Sequence, residues 1–345
     1  MIDPILYDSF DRLLTDTSTP QVIREIESGG SPENLWQQMI ESGFADAMVG
    51  EAAGGAGLSL SEAFSLFFLC GRHCLPLPLA QTMVSRGILA NQNLDVPEGA
   101  VAISPIPVTH NDDLVECRNV PFGLLAQWVL VPHAGPSHQP KDLLLPVSAA
   151  VRSGTGVHGS LQAHFSWKAP RSSGIVLQSV YPWLEVAAAI TAAQMAGAMD
   201  TILNITVKYA GDRLQFGRPI GKFQAVQQQL SVLAELATAS RVGAELGCRE
   251  TAEGAPNILA AAVAKARASE AAGTVVSIAH GVHAAMGITE EYDLQLYTRR
   301  LIEGRTDYGS AGYWNRRVGD AVLSSDAPST LEFMLPAFFA DAATS

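Results

Sequence analysis

The sequence is poor in charge, and the charge that it has is mostly negative. Only 16% of the 345 residues are charged, and the formal net charge is −12. Nucleic-acid binding needs clustered Lys and Arg, and anionic lipid repels an acidic surface. We therefore expect neither nucleic acid nor a membrane surface as a partner. The hydrophobic content of 48% favours a large buried fraction that includes subunit interfaces.

Cysteines are few as well, and they lack the spacing of a metal site. Cys70 and Cys74 lie four apart with no second pair, and His280 and His283 have no acidic or cysteine partner close in sequence. We therefore expect no metal ion. The four cysteines are expected to be small buried residues in a reducing cytoplasm.

The sequence also gives little reason to expect a membrane span or a leader segment. The uncharged run from Val186 to Met199 is too short and too alanine-rich to span a bilayer, so we expect no membrane insertion. The first residues carry aspartates and no basic leader, which predicts no signal peptide. The glycine-rich stretch at 50–60 lacks the G-x-G-x-x-G spacing and follows no strand, so we expect no dinucleotide fingerprint there.

The order of helix-type and strand-type segments predicts three domains. Residues 1–99 carry helix signals such as the start at Ser31-Pro32-Glu33. Residues 100–182 contain short β-type runs, namely AVAISPI, WVLVP, DLLLPV, LQAHFSW and GIVLQ, separated by Pro and Gly as in a small antiparallel sandwich or barrel. Residues 183–345 are helical again. The expected fold class is α+β with several units: an N-terminal helical domain, a small middle β domain and a C-terminal four-helix bundle.

Within the last region, the pattern predicts individual helices. They are expected at about 184–210, 223–248, 256–282 and 290–304, with another after Gly309. Along the second of them, apolar residues recur at three-four spacing and predict one narrow apolar seam. The seam residues are Phe223, Val226, Leu230, Leu233, Ala237 and Val242.

The break between the first two of these helices carries the most specific motif. Residues 209–241 read YAGDRLQFGRPIGKFQAVQQQLSVLAELATASR. This stretch resembles the acyl-CoA dehydrogenase family of flavoenzymes, whose C-terminal bundle has Tyr-x-x-x-Arg-x-x-Phe-Gly followed by Pro-Ile-x-x-Phe-Gln. Residues 281–300 are similar to the family's His-Gly-Gly-x-Gly-x-Thr-x-Glu loop, and residues 50–82 to its N-terminal domain. The resemblance implies that fold and the α,β-dehydrogenation of acyl-CoA with FAD.

The resemblance also implies which residues meet FAD. Arg213 would grip the pyrophosphate of FAD held by the neighbouring subunit, because a guanidinium is a permanent planar charge that binds phosphate in two places. The other implied cofactor-binding residues are Gln215, Phe216, Phe223, Gln224, His283 and Ala284. At 284 and 285, alanines replace the family's two glycines. From the residues alone an alternative stays open, in which Arg213 and Arg218 solvate a turn while Phe216 and Phe223 join two helices.

The implied reaction needs a carboxylate beside the α-carbon in a site that excludes water. In the commonest form of the family this base is a Glu before Gly-Thr, after the helix with Arg299-Arg300, and Tyr308 stands there instead. In a second form the base lies on the first long bundle helix, where Ala187 stands. The nearest carboxylates, Asp307 and Glu185, are the candidate catalytic residues. Solvated charges at helix ends are the alternative interpretation of both.

The missing base and the short β region resemble the short, diverged subunits of this family that pair with a full-length partner in a heterotetramer. The resemblance implies that the partner supplies the base and most flavin-ring contacts, while this chain completes the nucleotide end of the site. It also implies an acyl-CoA substrate of a bulky acid, including steroid side chains, and an electron-transfer acceptor. Two alternatives remain: a homo-oligomeric dehydrogenase with its base at Asp307 or Glu185, and a non-catalytic structural subunit that binds no flavin.

Overall fold

This computed structural model describes residues 3–105, 108–110, 114–134, 141–178, 181–251 and 255–339. The chain forms two compact units, of which the first comprises Met1–Leu66 with Leu75–Ala187 and the second Phe67–Cys74 with Ala188–Ser345. This division into two is coarser than the three domains expected from the sequence. The boundaries at 99/100 and 182/183 therefore stay a prediction.

Helices make up the N-terminal part of the chain. They are α1 (Pro4–Thr17), α2 (Pro20–Glu27), α3 (Glu33–Glu41), α4 (Leu60–Arg72) and α5 (Leu79–Asn91). Proline stands at the first position of α2, and the Thr19 hydroxyl accepts a hydrogen bond from the Val22 N–H, as a capping residue does. Gly43 follows α3 with φ of 79°, a conformation that glycine adopts without strain. The predicted helical character of this region is confirmed.

The β part of the first unit consists of two four-stranded sheets. The strands are β1 (Val101–Ile103), β2 (Val108–His110), β3 (Leu114–Val120), β4 (Trp128–Ala134), β5 (Lys141–Pro146), β6 (Val151–Gly154), β7 (Ala163–Lys168) and β8 (Ile175–Val176), with a short helix α6 (Pro170–Ser173) before β8. The sheet orders are β1-β4-β5-β8 and β2-β3-β7-β6. All neighbours pair antiparallel, as the sequence predicts, except β1 and β4, which are parallel.

The inward side chains of the two sheets share one core. Val129 and Val131 of β4 and Phe165 and Trp167 of β7 are buried together, because alternate residues of a strand point to the same side. The Phe165 and Trp167 rings stack with centroids 5.1 Å apart. The buried Trp167 indole donates its N–H to the Pro146 carbonyl at 3.0 Å. This shared core holds the strands of the small β part in register.

The second unit is a helical bundle. Its helices are α7 (Trp183–Asp212, which starts in the first unit), α8 (Gln224–Gly247), α9 (Ile258–His283), α10 (Leu294–Gly304), α11 (Ala311–Leu323) and α12 (Thr330–Phe339). Their bounds agree with the predicted helices to within a few residues, apart from the start of α10. The predicted fold class is confirmed by this arrangement of helices, β part and bundle.

The bundle helices approach each other closely at glycines. A Cβ at Gly197 of α7 would lie 2.0 Å from the Phe68 carbonyl oxygen of α4, and one at Gly71 would lie 1.8 Å from the Gln194 oxygen. Helix α8 packs on α9 through a stripe at three-four spacing. Its buried members are Leu233, Ala237, Ser240, Ala244 and Gly247. Val242 is 53% exposed, so its assignment to the seam is wrong, since two residues beyond Ser240 the helix has turned by more than half a circle.

Two helical segments, Trp183–Asp212 and Ile258–Ile288, are long and apolar enough to cross a membrane by length and composition. The run from Val186 to Met199, which by itself is too short to span a bilayer, lies within the first segment. The most apolar window is 78% buried inside the protein in the first segment and 39% in the second. Core helices of soluble proteins pass the same test, so these segments do not by themselves indicate a membrane span.

Candidate functional site

Between α7 and α8 the chain forms a small exposed hairpin. Strands β9 (Leu214–Gln215) and β10 (Arg218–Pro219) pair antiparallel. Phe216 and Gly217 join them with φ of 52° and 75°, the left-handed pair that a two-residue hairpin turn needs. The Ile220 N–H donates to the Arg213 carbonyl at 2.8 Å and closes the base of the loop. The break seen in the sequence is therefore an ordered element and not a simple helix-to-helix turn.

The hairpin exposes groups that chains usually bury or pair. Phe216 is 91% exposed and Leu214 is 64% exposed. The Arg213 side chain is exposed, and within the described ranges it makes no hydrogen bond or ion pair. Together with Arg218 and Lys222, it places three cations within ten residues of an acidic chain. Such a surface fits an anionic ligand that also offers apolar area.

Phe223 and Arg218 stabilise the hairpin from within. The Arg218 guanidinium carbon lies 4.3 Å from the centroid of the Phe223 ring, and the Phe216 ring meets Phe223 edge-on at 6.1 Å. Phe223 is half-buried and packs against Ala210, Ile220 and Val282. The alternative in which the aromatic residues join two helices therefore describes Phe223, but it does not describe the exposed Phe216.

Helix α8 begins directly beside the hairpin without a side-chain cap. Phe223 is its N-cap residue and cannot accept a hydrogen bond through its side chain. Gln224 is the first helical residue and is exposed, as is Gln215 on the hairpin. Uncapped N–H groups and the positive end of the helix dipole favour an anion at such a helix start. The hairpin cations and the start of α8 therefore act on the same side of the bundle.

The second predicted segment lies at the end of α9. His283, the last residue of this helix, is 0% exposed, so its side chain faces the inside of the unit. Ala284, Ala285 and Met286 follow it on the surface in a turn that spans Ala284–Ile288. Ala284 has φ of 51° and ψ of −136°, a region that residues with a Cβ rarely adopt. This segment presents to a ligand the main chain and methyl groups of Ala284 and Ala285 together with the half-exposed Met286 side chain.

The structure brings the two predicted segments together. The ring of Tyr209, near the end of α7, stacks on the His283 ring with centroids 4.3 Å apart. Ala210, Ile220 and Val282 form a shared apolar cluster beneath both segments. Tyr292, after the turn, contacts His283 through a 3.2 Å hydrogen bond. Sequence reasoning missed Tyr209 and Tyr292 as supports, although Tyr209 is part of the motif that carried the resemblance.

Burial lowers the pKa of His283 and of His280, which favours the neutral form of both side chains. His280 Nε2 lies 3.0 Å from the Thr298 hydroxyl, and its Nδ1 is buried with no hydrogen-bond partner. Burial likewise raises the pKa of Tyr292. In the described part of the chain, no group of three or more His, Cys, Asp or Glu residues could hold a metal ion.

The turn between α10 and α11 carries the first candidate base. Asp307 is half-buried, whereas Tyr308, at the position expected for a base, is only 2% exposed. Tyr308 and Gly309 both have positive φ, and the Trp314 indole donates to the Tyr308 carbonyl at 3.1 Å. The side chain at the expected position is thus an aromatic ring buried in its own unit and not a carboxylate.

Beneath this turn lies a buried lysine that sequence reasoning missed. Lys265 of α9 is 0% exposed, and its ammonium donates to the Ser269 hydroxyl at 2.8 Å and to the Gly309 carbonyl at 2.9 Å. A longer contact of 3.4 Å reaches the Arg305 carbonyl. Burial lowers its pKa to about 8, while the nearby Asp307 charge acts in the opposite direction. Lys265 and Ser269 have the composition of a serine–lysine dyad, but both are sealed from substrate.

The other candidate base lies in the first unit. Glu185 is in the first turn of α7 and is half-buried, and Ala187 is 1% exposed. The start of this helix is fixed by Asp142, whose carboxylate accepts from the Trp183 indole at 2.9 Å and from the Tyr181 N–H at 3.1 Å. No carboxylate therefore stands at either position where the family pattern expects one.

Comparison with known protein families gives two matches. The model of the acyl-CoA dehydrogenase N-terminal domain matches residues 5–93, and that of the C-terminal domain matches residues 179–307. The acyl-CoA dehydrogenase IpdE2 of Mycolicibacterium smegmatis is 30% identical over 314 residues, which cover 86% of this chain and 91% of that protein.

Two solved structures share the fold along nearly the whole chain. The steroid ACAD Tcur3481–Tcur3483, in its G363A variant, is 27% identical with a TM-score of 0.79, covering 92% of this chain and 96% of that one. The ChsE4–ChsE5 complex of Mycobacterium tuberculosis is 20% identical with a TM-score of 0.82, covering 93% and 97%. Helices, β region and bundle thus occur in the same order in all three.

Proposed function

The chain belongs to the acyl-CoA dehydrogenase family, and from that premise we propose that it is an FAD-linked subunit that completes an active site with a homologous partner chain. The proposed reaction is the α,β-dehydrogenation of an acyl-CoA thioester. The observation that carries the proposal is the hairpin at Leu214–Pro219, which exposes Phe216 by 91% beside a guanidinium free of other contacts in the described ranges. An exposed apolar patch beside cations is typical of an interaction site, which a cofactor and a neighbouring subunit would cover.

The residues present fit FAD. A diphosphate needs permanent positive charge and free N–H donors, and Arg213 with the uncapped start of α8 supplies both. We propose that Arg213 holds the pyrophosphate, with Gln215, Phe216 and Gln224 beside it. The exposed backbone at Ala284 approaches the nucleotide. When bound, FAD supplies the acceptor for the hydride that leaves the β-carbon of the substrate.

This chain's own residues bind and orient; we propose that they do not remove the α-proton. Tyr308 and Ala187 occupy the two positions where the family carries its base, and both are buried. The base is therefore assigned to the partner chain, and Arg213 with the start of α8 would hold the diphosphate of the FAD that serves that base. Asp307 and Glu185 remain the candidates for a base of this chain in the alternative, homo-oligomeric arrangement.

The names of the related structures support the kind of partner and substrate. Tcur3481–Tcur3483 and ChsE4–ChsE5 are both complexes of two differently named chains, which favours a heterotetramer over a homo-oligomer here. The name of the first, a steroid ACAD, favours CoA thioesters of bulky, steroid-type acids. A separate electron-transfer acceptor would reoxidise the flavin. All four cysteines lie in the described ranges as buried thiols outside any disulfide, which is consistent with a reducing cytoplasm as the location.

The decisive experiment compares arginine variants in the assembled complex. The chain is co-purified with its candidate partner, and bound flavin is measured by visible absorbance and by titration with FAD. Arg213→Ala should weaken FAD binding about 30-fold, since a lost charge-assisted contact costs about 2 kcal/mol. Arg316→Ala, at an exposed position on α11, is the matched control and should leave FAD binding unchanged.

Other outcomes of the same experiment separate the alternatives. Flavin and acyl-CoA oxidation with this chain alone would contradict the partner requirement, and a single loss of turnover in Asp307→Asn or Glu185→Gln would then identify the base. A complex that binds no flavin under any condition would contradict the proposed function and leave a structural subunit. Equal FAD affinity of Arg213→Ala and the unchanged protein would contradict the role of the hairpin.

A further inference from the structure

The turn after α9 is held by an unusually complete set of contacts on one residue, His283. Its Nδ1 lies 2.8 Å from the Ala279 carbonyl oxygen, and its Nε2 lies 3.2 Å from the Tyr292 hydroxyl. Tyr209 stacks on the ring and donates its hydroxyl to the His283 carbonyl at 3.5 Å. Both ring nitrogens, one ring face and the backbone oxygen are therefore engaged.

These contacts determine the tautomer of His283. A carbonyl oxygen only accepts, so the proton sits on Nδ1 and is donated to Ala279. The Nε2 lone pair then accepts from the Tyr292 hydroxyl. Burial lowers the pKa of His283 and so favours this neutral form. The direction of each hydrogen bond is thereby settled by chemistry, and Tyr292 is the donor.

The residue that follows is strained. Ala284 has φ of 51° and ψ of −136°, where a Cβ is disfavoured and glycine is not. Its N–H donates to the His280 carbonyl at the end of the helix. Gly287, three residues on, packs so closely that an added Cβ would lie 3.0 Å from His283 Cβ and 3.2 Å from His280 Nδ1. The turn therefore rests directly on the two histidines, and its strain persists only while they stay in place.

We propose that Tyr209 and Tyr292 are positioning residues that clamp His283 and thereby force Ala284 to keep a glycine-like backbone conformation. The clamp fixes the exposed backbone of Ala284–Met286 beside the hairpin, so that it is preorganised for the nucleotide end of the cofactor. The alanines at 284 and 285 then do not alter the path of the chain where the family has glycines. This inference rests on the proposed function for the identity of the ligand, and on the contacts of His283 for the clamp.

The test measures the turn and the ligand separately in the assembled complex. Tyr292→Phe deletes one hydroxyl and keeps the ring, and Tyr209→Phe does the same from the other side. Hydrogen exchange of the peptide that contains 284–288, followed by mass spectrometry, should become about tenfold faster in Tyr292→Phe, because one partly buried hydrogen bond to His283 is lost. FAD binding should weaken by a similar factor. Tyr313→Phe, at an exposed position of α11, is the matched control and should change neither.

A double variant distinguishes a clamp from general loosening. In Tyr292→Phe, release of the Ala284 strain favours opening of the turn. Ala284→Gly removes that strain from the closed state, so Tyr292→Phe with Ala284→Gly should return exchange and FAD binding most of the way to the unchanged protein. Glycine's extra freedom offsets only part of this gain, because the strain of a residue in this region exceeds it.

Two results would overturn the inference. One is unchanged exchange at 284–288 in both Tyr→Phe variants, which would show that the turn does not depend on His283. The other is a double variant that exchanges faster than Tyr292→Phe, which would show that Ala284 is not the strained element. Exchange is measured with and without added FAD. It therefore shows whether Tyr209 and Tyr292 hold the turn through His283, even if the complex binds no flavin and the proposed function fails.

Discussion

Lys265 makes the stability of the second unit depend on alkaline pH. Burial lowers its pKa from the ordinary 10.5 to about 8, against a smaller opposing effect of the Asp307 charge. A base with a lowered folded pKa binds fewer protons in the folded than in the unfolded state between these two values. The free energy of unfolding therefore rises with pH from about 8 to about 10.5. Below about pH 8 it is reduced by the whole cost of burying the charged lysine.

The size of the effect follows from the same values. A gap of about 2.5 pH units corresponds to about 3 kcal/mol, of which about 2 kcal/mol is gained between pH 7 and pH 9.5. Lys265→Met removes this dependence. It also removes the donor to Ser269, Gly309 and Arg305, which costs about 1 kcal/mol per hydrogen bond. At pH 7 the lost hydrogen bonds and the removed cost of burying a charge nearly cancel, so the variant should be about as stable as the unchanged protein. At pH 9.5 the difference in unfolding free energy between the unchanged protein and the variant should be about 2 kcal/mol larger than at pH 7.

The assay is urea unfolding followed by far-UV circular dichroism at the two pH values. Lys208→Met is the matched control, since Lys208 is exposed on α7 in the same unit. It changes the formal charge equally, and its free energy of unfolding relative to the unchanged protein should be the same at both pH values. A difference between Lys265→Met and the unchanged protein that stays constant from pH 7 to pH 9.5 would refute the reasoning.

Two further predictions concern packing and the hairpin. Gly197→Ala should destabilise the chain by several kcal/mol, because the added Cβ would meet the Phe68 carbonyl oxygen at 2.0 Å. Gly243→Ala has no atom within 4 Å of the added Cβ and should stabilise the chain by up to about 1 kcal/mol through helix propensity. Equal melting temperatures of the two variants would contradict this. Phe216→Ser should change the unfolding free energy of the isolated chain by no more than about 0.5 kcal/mol, because the Phe216 ring is 91% exposed. The same variant should weaken assembly with the partner by about tenfold or more. Assembly at unchanged affinity, measured by sedimentation, would show that nothing covers the ring.

The sequence predicts the bounds of the bundle helices well because these are long runs of helix-forming residues separated by breaks that contain glycine, proline or polar residues. It predicts the β part less completely. Strand β3, LVECRNV, has polar residues at its outward positions, and all four residues of β6 are exposed, so neither reads as an apolar run. The hairpin strands have only two residues each, which no periodicity reveals. What the residues do show there is a break rich in cations.

The interior of α9 could not be predicted, for a different reason. Its alanine-rich sequence has apolar residues on every side, so periodicity does not tell which side is buried. Lys265 lies among alanines, and its sequence context predicts an exposed position, since lysine is almost never fully buried without partners. Its partners are carbonyls of the turn after α10, some forty residues further along the chain. Only the fold brings these groups together, as it does Tyr209, His283 and Tyr292.

The proposed division of labour between two chains would explain why the hairpin exposes its ligand-binding groups while a tyrosine stands at the expected position of the base. If the base and the ring contacts belong to the partner, selection on this chain acts on the hairpin, the start of α8 and the Ala284 turn, and the position of Tyr308 is free to become core. The exposed Phe216 and Leu214 then gain burial only on assembly, and Arg213 gains its counter-charge only with FAD. Because both events use the same hairpin, they are thermodynamically linked: whatever factor assembly adds to FAD affinity, FAD must add to the affinity between the subunits. The two reciprocal measurements therefore report one coupling free energy, and that free energy is the contribution of this chain to the site.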